Sequence, residues 1–275
     1  MAKKNDVHKL VSEFYSHSLT KSHSCCGSGL AEHLASYDPD KLKLLPRDAV
    51  ANSFACGDPL AFAEVRAGEV VLDLGCGAGM DLLIAAEKVG PTGRVIGVDM
   101  TEAMLAVARK NLEAAGVENV ELRAGTIEHL PVEDGSVDWV ISNCVINLSP
   151  DKPRVFVEIA RVLKSDGRIS ISDMVAEGLP DWAQEDKELY GACVAGAVSE
   201  ADYLDGLSRA GLEDLSVVQR LIFEGPQLEL LSGGEEATGC CGTGPSALSS
   251  EQIAQLSGKI ASIKIQGRKG SGGPA

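Results

Sequence analysis

The chain has 275 residues, 44% of them hydrophobic, with a formal net charge of −15 and a sequence pI of about 4.8. That length suits one catalytic domain of ordinary size with a small appended lobe, and the apolar fraction supplies a large core. So acidic a balance argues against nucleic acid and anionic membrane surfaces as partners, because both are polyanions.

The start Met-Ala-Lys-Lys-Asn-Asp-Val-His is followed by no apolar signal segment, and no apolar run approaches the ~20 residues of a membrane helix, so a soluble cytoplasmic protein is expected. Val7, Leu10, Val11, Phe14 and Tyr15 are spaced largely as in a helix, which predicts one over residues 7–21. A Cys/Gly/Ser stretch follows at 22–29, and residues 49–65 are expected to hold a short helix interrupted at Gly57 and Pro59. The centre is more regular. Buried strands are expected at Val70–Leu74, Val95–Asp99, Val120–Arg123, Val137–Ser142 and Arg168–Asp173, with helices at Asp81–Val89, Glu102–Ala115 and Pro153–Leu163 between them. Strands alternating with helices indicate an α/β fold with a mostly parallel sheet, and right-handed crossovers make it doubly wound. Beyond Asp173 the pattern predicts helices at Asp181–Val194 and Glu200–Ala210 and a strand at Leu215–Phe223. From Ser232 the chain turns to Gly, Ser and other small residues, apart from one helix expected at Ser250–Ile263, and Gln266–Ala275 reads as a flexible tail. The expected division is an N-terminal helical segment at 1–69, a core at 70–175, a small C-terminal lobe at 176–231 and a Gly/Ser-rich tail at 232–275.

Asp73-Leu74-Gly75-Cys76-Gly77-Ala78-Gly79 follows the first strand and opens a helix. Glycines there let the backbone turn sharply and approach a ligand closely. A dinucleotide motif needs glycines at its first, third and sixth positions, and the sixth counted from Gly75 is Met80, so that fit fails. The tighter Gly-x-Gly-x-Gly with a preceding acid resembles the S-adenosylmethionine loop of class I methyltransferases. Asp99 ends the second strand, 20 positions after Gly79, where one carboxylate accepts two ribose hydroxyls. Gly125-Thr126-Ile127-Glu128 follows the third strand, where that class places adenine. A crevice at the carboxyl ends of the strands would bring Asn143 and Cys144 to the cofactor's reactive end. The expected cofactor-binding set is therefore Asp73, Gly75, Gly77, Gly79, Asp99, Met100, Thr126, Ile127 and Asn143.

There are eight cysteines, and in a reducing compartment a static disulfide framework is not expected. Cys76, inside the glycine loop, reads as a packing residue. Cys56 lies in Phe54-Ala55-Cys56-Gly57-Asp58-Pro59, Cys144 in Ser142-Asn143-Cys144-Val145-Ile146-Asn147-Leu148, and Cys193 in Tyr190-Gly191-Ala192-Cys193-Val194-Ala195-Gly196 on a helix. Cys25-Cys26 follows the first helix. These segments resemble the arsenite methyltransferases over residues 7–225. Ala55 stands where many members carry Gly, and Phe54 where many carry Tyr. The resemblance implies that Cys56, Cys144 and Cys193 bind trivalent arsenic and that Cys25 or Cys26 takes part in redox. Arsenite and methylated trivalent arsenicals would be the substrates, thioredoxin or glutathione the reductant, and detoxification the outcome. Cys240-Cys241, in Thr-Gly-Cys-Cys-Gly-Thr-Gly, reads equally as an arsenite-capturing pair or as a tail feature without a catalytic role.

The chemistry has its own logic. Trivalent arsenic is a soft centre that prefers thiolates, and its lone pair stays free to attack a methyl on sulfonium. Holding the two in line is a gain of proximity, and no general base is needed. His8, His17, His23 and His33 lie in the first segment and read as surface histidines rather than zinc ligands. Two alternatives stand beside this reading. One is a methyltransferase of a quinone-like carbon or oxygen acceptor, which would work without its cysteines. The other is a non-catalytic metalloid-binding protein with a vestigial loop, against which the intact Asp73 and Asp99 argue.

Overall fold

Val70–Leu74 (β1) reads Val-Val-Leu-Asp-Leu and is buried from its second residue onward, as a strand covered on both faces must be. The computed structural model describes residues 4–21, 37–53, 57–225, 228 and 248–270. β1 pairs in parallel with Arg94–Asp99 (β2) and with Val137–Asn143 (β4). Val120–Ala124 (β3) extends the sheet beyond β2, and Leu163–Ala176 (β5) extends it beyond β4, both in parallel. Two antiparallel strands complete it. Ile260–Lys269 (β7) lies between β5 and Leu212–Phe223 (β6), giving the seven-strand order β3-β2-β1-β4-β5-β7-β6. The strand order reverses between β1 and β4, so the carboxyl ends of these two strands open a crevice.

The helices are Lys4–Lys21 (α1), Pro39–Leu44 (α2), Arg47–Ala51 (α3), Met80–Val89 (α4), Glu102–Ala115 (α5), Lys152–Val162 (α6), Asp181–Glu185 (α7), Lys187–Gly191 (α8), Glu200–Arg209 (α9) and Ser250–Leu256 (α10). Val155, Phe156 and Ile159 of α6 and Tyr203 and Leu207 of α9 pack on one face of the sheet. Leu82 and Leu83 of α4 and Leu105 and Leu112 of α5, with Tyr37 and Leu60, cover the other. A third cluster joins Val11 of α1 and Leu256 of α10 to Cys144, Met174 and Cys193, so these helices close the sheet at the end where two of the cysteines lie. Among the described residues no helix is long and apolar enough to cross a membrane.

Three expectations are corrected. The stretch from 232 is not all tail: α10 ends at Leu256, and Ile260–Lys269 is a central strand whose Ile263 and Ile265 are buried. Ile253, Leu256, Ile260 and Ile263 recur at helical spacing across the α10–β7 turn, so the sequence pattern does not mark where the helix ends and the strand begins. The helix expected at Asp181–Val194 is broken at Asp186, whose side chain accepts from the amides of Glu188 (2.8 Å) and Leu189 (2.9 Å) and so starts α8 afresh. Cys193 therefore lies beyond the end of α8 and not on a helix. Among the described residues of the helix expected at 49–65, only the end of α3 is helical.

Candidate active site

Each glycine of the loop has a separate task. Gly75, Gly77 and Gly79 all have left-handed backbone, with φ of 64°, 51° and 88°. A Cβ on Gly75 would meet the Val145 side chain at 2.4 Å. The Gly77 amide donates to Asp99 Oδ2 (2.9 Å), and the Thr101 amide donates to Asp99 Oδ1 (2.8 Å). The Asp99 carboxylate is thus pinned by two backbone donors, with lone pairs left for two hydroxyls. Burial raises its pKa against those hydrogen bonds.

A cavity runs along the carboxyl ends of the strands in sheet order. Thr126, Ile127 and Glu128 lie after β3, Asp99 and Met100 at β2, Gly75 and Gly77 after β1, and Asn143 and Cys144 at β4. Seven of the nine expected cofactor residues therefore line it. The other two, Asp73 and Gly79, do not. Asp73 is buried behind the loop at 2% exposure, and burial with the charges of Asp81 and Asp99 raises its pKa. Gly79 precedes α4, and a Cβ there would stand 3.4 Å from Ala108 of α5, so it serves the approach of two helices.

Several lining residues were not among those expected. Glu128 accepts from Ser149 Oγ and pairs with His8 Nε2 at 3.0 Å, tying α1 to the loop after β3. That loop is also gripped by α6. Glu158 accepts from the Leu130 amide (2.9 Å), and Arg154 Nε donates to the Glu128 carbonyl (3.2 Å). Asp81, in the first turn of α4, accepts from Tyr37 Oη (2.8 Å) and Asn143 Nδ2 (3.0 Å). Asn143 Nδ2 also donates to the Gly57 carbonyl (2.7 Å), joining the end of β4 to the segment after Cys56. An acid in the first turn after the glycine loop was a readable signal for Asp81. Glu128 stood inside the quoted adenine segment, whereas nothing in the sequence links His8 to it.

Two of the candidate arsenic ligands converge. Cys144 follows β4 with φ 53°, its amide donating to the Ser172 carbonyl (2.8 Å). Cys193 has φ 63° and occupies the position just past the C-cap of α8, where glycine is the usual residue. The Cys193 amide donates to Tyr190 O (3.0 Å) and the Val194 amide to Leu189 O (2.8 Å), which together close the helix end. The Cys193 thiol donates to the Cys144 carbonyl (2.6 Å). The sulfurs of Cys144 and Cys193 and a carboxylate oxygen of Asp173 all lie within 4.8 Å of one another. Cys144 is disulfide-bonded, and Cys193 is a free thiol. Burial pushes the Cys193 thiol up and Asp173 adds to this, while Tyr15 and Lys152 act the other way. Asp173, also lifted by burial, to about 6, accepts from Asn147 Nδ2 (2.9 Å), the Met174 amide (2.8 Å) and Tyr203 Oη (3.0 Å). Cys76 is a buried free thiol within the core, as expected. Cys25, Cys26, Cys56, Cys240 and Cys241 lie outside the described residues.

A crevice at the switch point of this sheet order, floored by the glycine loop, is the arrangement of the class I methyltransferases, whose cofactor is S-adenosylmethionine. Residues 66–215 match a family model described as a methyltransferase domain. The arsenite methyltransferase of Halobacterium salinarum is 42% identical over 234 residues, which are 78% of this chain and 59% of that protein. The crystal structure of an arsenic (III) S-adenosylmethionine methyltransferase from Chlamydomonas reinhardtii matches with a TM-score of 0.64 at 30% identity, covering 90% of this chain and 76% of that one. The chain belongs to the arsenite methyltransferase family. A demethylmenaquinone methyltransferase of Listeria welshimeri is 35% identical over a shorter stretch, 46% of this chain and 54% of that protein. The chain spans about three fifths of the length of the first curated relatives it matches, 59% and 64%.

Proposed function

We propose that this protein transfers a methyl group from S-adenosylmethionine to trivalent arsenic held on cysteine thiolates, giving methylated arsenicals and so detoxifying arsenite. The observation that carries the reading is the convergence of the Cys144 and Cys193 sulfurs within 4.8 Å, with Cys144 on the wall of the cofactor cavity. Both cysteines stand on left-handed backbone, a cost that packing alone does not explain. Bound S-adenosylmethionine supplies an electrophilic methyl on sulfonium. The chain has to hold arsenic in line with it. A protonated Cys193 needs no base for this step. Once the thiol reductant has opened the Cys144 disulfide with two electrons, each thiol proton leaves with a hydroxide of arsenous acid as water, and one sulfur–arsenic bond replaces one oxygen–arsenic bond.

After transfer, arsenic has given its lone pair to the new carbon bond and is formally pentavalent. Two electrons return it to the trivalent state as two thiolates join in a disulfide, which thioredoxin or glutathione then reduces. Cys25 or Cys26 is the proposed partner in that step, and the disulfide at Cys144 supports a thiol that cycles. The cysteines should separate by step. Arsenite offers three exchangeable positions and monomethylarsenite two, so one thiol becomes dispensable after the first methylation. Cys144→Ser and Cys193→Ser should each abolish methylation of both substrates. Cys56→Ser, and the double change Cys25→Ser with Cys26→Ser, should abolish the first and leave measurable activity on the second. The assay uses both substrates under excess thiol. Loss of both activities in Cys56→Ser, with the second retained in Cys193→Ser, would assign the clamp to another pair.

A further inference from the structure

Among the described residues the cofactor cavity is lined by three carboxylates, and the structure gives two of them work. Asp99 is fixed by the amides of Gly77 and Thr101 beside the ribose position, and Glu128, after β3, is paired with His8 and Ser149. Asp81 is different. It is 8% exposed, lines the cavity, and its two hydrogen-bond donors, Tyr37 Oη and Asn143 Nδ2, are both neutral. No lysine or arginine lines the cavity among the described residues. Lys264 of β7 attracts Asp81 only at longer range, while Asp58 repels it. A buried carboxylate without a countercharge is costly.

The sheet order says which part of the cofactor reaches it. With adenine after β3 and ribose at Asp99 of β2, the amino-acid arm must continue toward the ends of β1 and β4. Asp81 and Asn143 stand there together. We propose that Asp81 is the residue that recognises the α-ammonium group of S-adenosylmethionine, with Tyr37 and Asn143 holding its carboxylate in place. The inference rests on S-adenosylmethionine as cofactor and is independent of the arsenic chemistry. Burial lifts the Asp81 carboxyl to about 6, against the hydrogen bonds of Asn143 and Tyr37, which fits a group whose charge is completed by a bound cation.

The test is calorimetric titration, without arsenic, of wild type and Asp81→Asn with three ligands. These are S-adenosylmethionine, S-adenosylhomocysteine and 5′-methylthioadenosine, which lacks the amino-acid arm. Asp81→Asn should weaken the first two by similar factors, roughly 10- to 100-fold, and leave the third within about twofold. Equal loss for all three would mean a general distortion and would overturn the assignment. So would no loss at all, or loss confined to S-adenosylmethionine, which would place the carboxylate at the sulfonium. Should the variant not fold, wild type is titrated with S-adenosylhomocysteine and its analogue lacking the amino group. The analogue should bind roughly 10-fold or more weakly, and equal affinity would overturn the proposal. If wild type bound none of the ligands, the cofactor reading would fall and the role of Asp81 with it.

Discussion

Left-handed backbone is uncomfortable for any side chain with a Cβ, and among the described residues only four non-glycines adopt it: Cys144, Asp166, Cys193 and Asp214. Asp tolerates this region because its short polar side chain bonds locally, an excuse cysteine lacks. At Cys193 the helix-end geometry calls for glycine, so the thiol is kept at the expense of fold stability. The consequence is measurable. Cys193→Gly and Cys193→Ala both remove the sulfur, but only glycine relieves the backbone. Cys193→Gly should be the more stable of the two by about 1 kcal/mol, the reverse of the usual order, in urea denaturation. An alanine variant as stable as the glycine one would remove the strain from the account.

At the scale of elements, β7 changes what the C-terminal part of the chain is worth. It pairs with β5 from Ala176–Ile260 to Arg168–Arg268 and carries β6 on its other edge. Deleting residues 248–275 would unpair both neighbours and expose the Ile263 and Ile265 sites. The truncated chain should show no cooperative unfolding transition, and a folded, cofactor-binding truncation would contradict the sheet order. The sequence showed β1 through β5 because fully buried parallel strands read as short apolar runs bounded by turn signals. It hid β7 because Ser262 and Lys264 are polar on one face while the isoleucines mimic a helical stripe with α10. Most of the cavity's described lining along the strand ends was legible from the glycine loop and Asp99. Asp81, Glu128 and His8 were less so, because their roles come from elements far apart in sequence meeting at one cavity, as His8 of α1 meets Glu128.

For the whole molecule, the charge of −15 is compatible with this chemistry. Arsenous acid is neutral near pH 7, and the acid-lined cavity suits a cationic cofactor whose positive sulfonium is discharged on transfer. The parallel core is common to many methyltransferases, and the quinone relative matches over 46% of the chain, against 78% for the arsenite relative. That shared core does not decide the acceptor, and the cysteines proposed to do so include Cys144, directly after β4, and Cys193, just past α8. The most direct measurement is incubation of the full chain with arsenite, a thiol reductant and S-adenosylmethionine, followed by arsenic speciation by mass. The account predicts methylated arsenicals formed together with S-adenosylhomocysteine, and no such product from Cys144→Ser. Arsenite recovered unmethylated, from a protein that binds S-adenosylmethionine and is fully reduced, would contradict it.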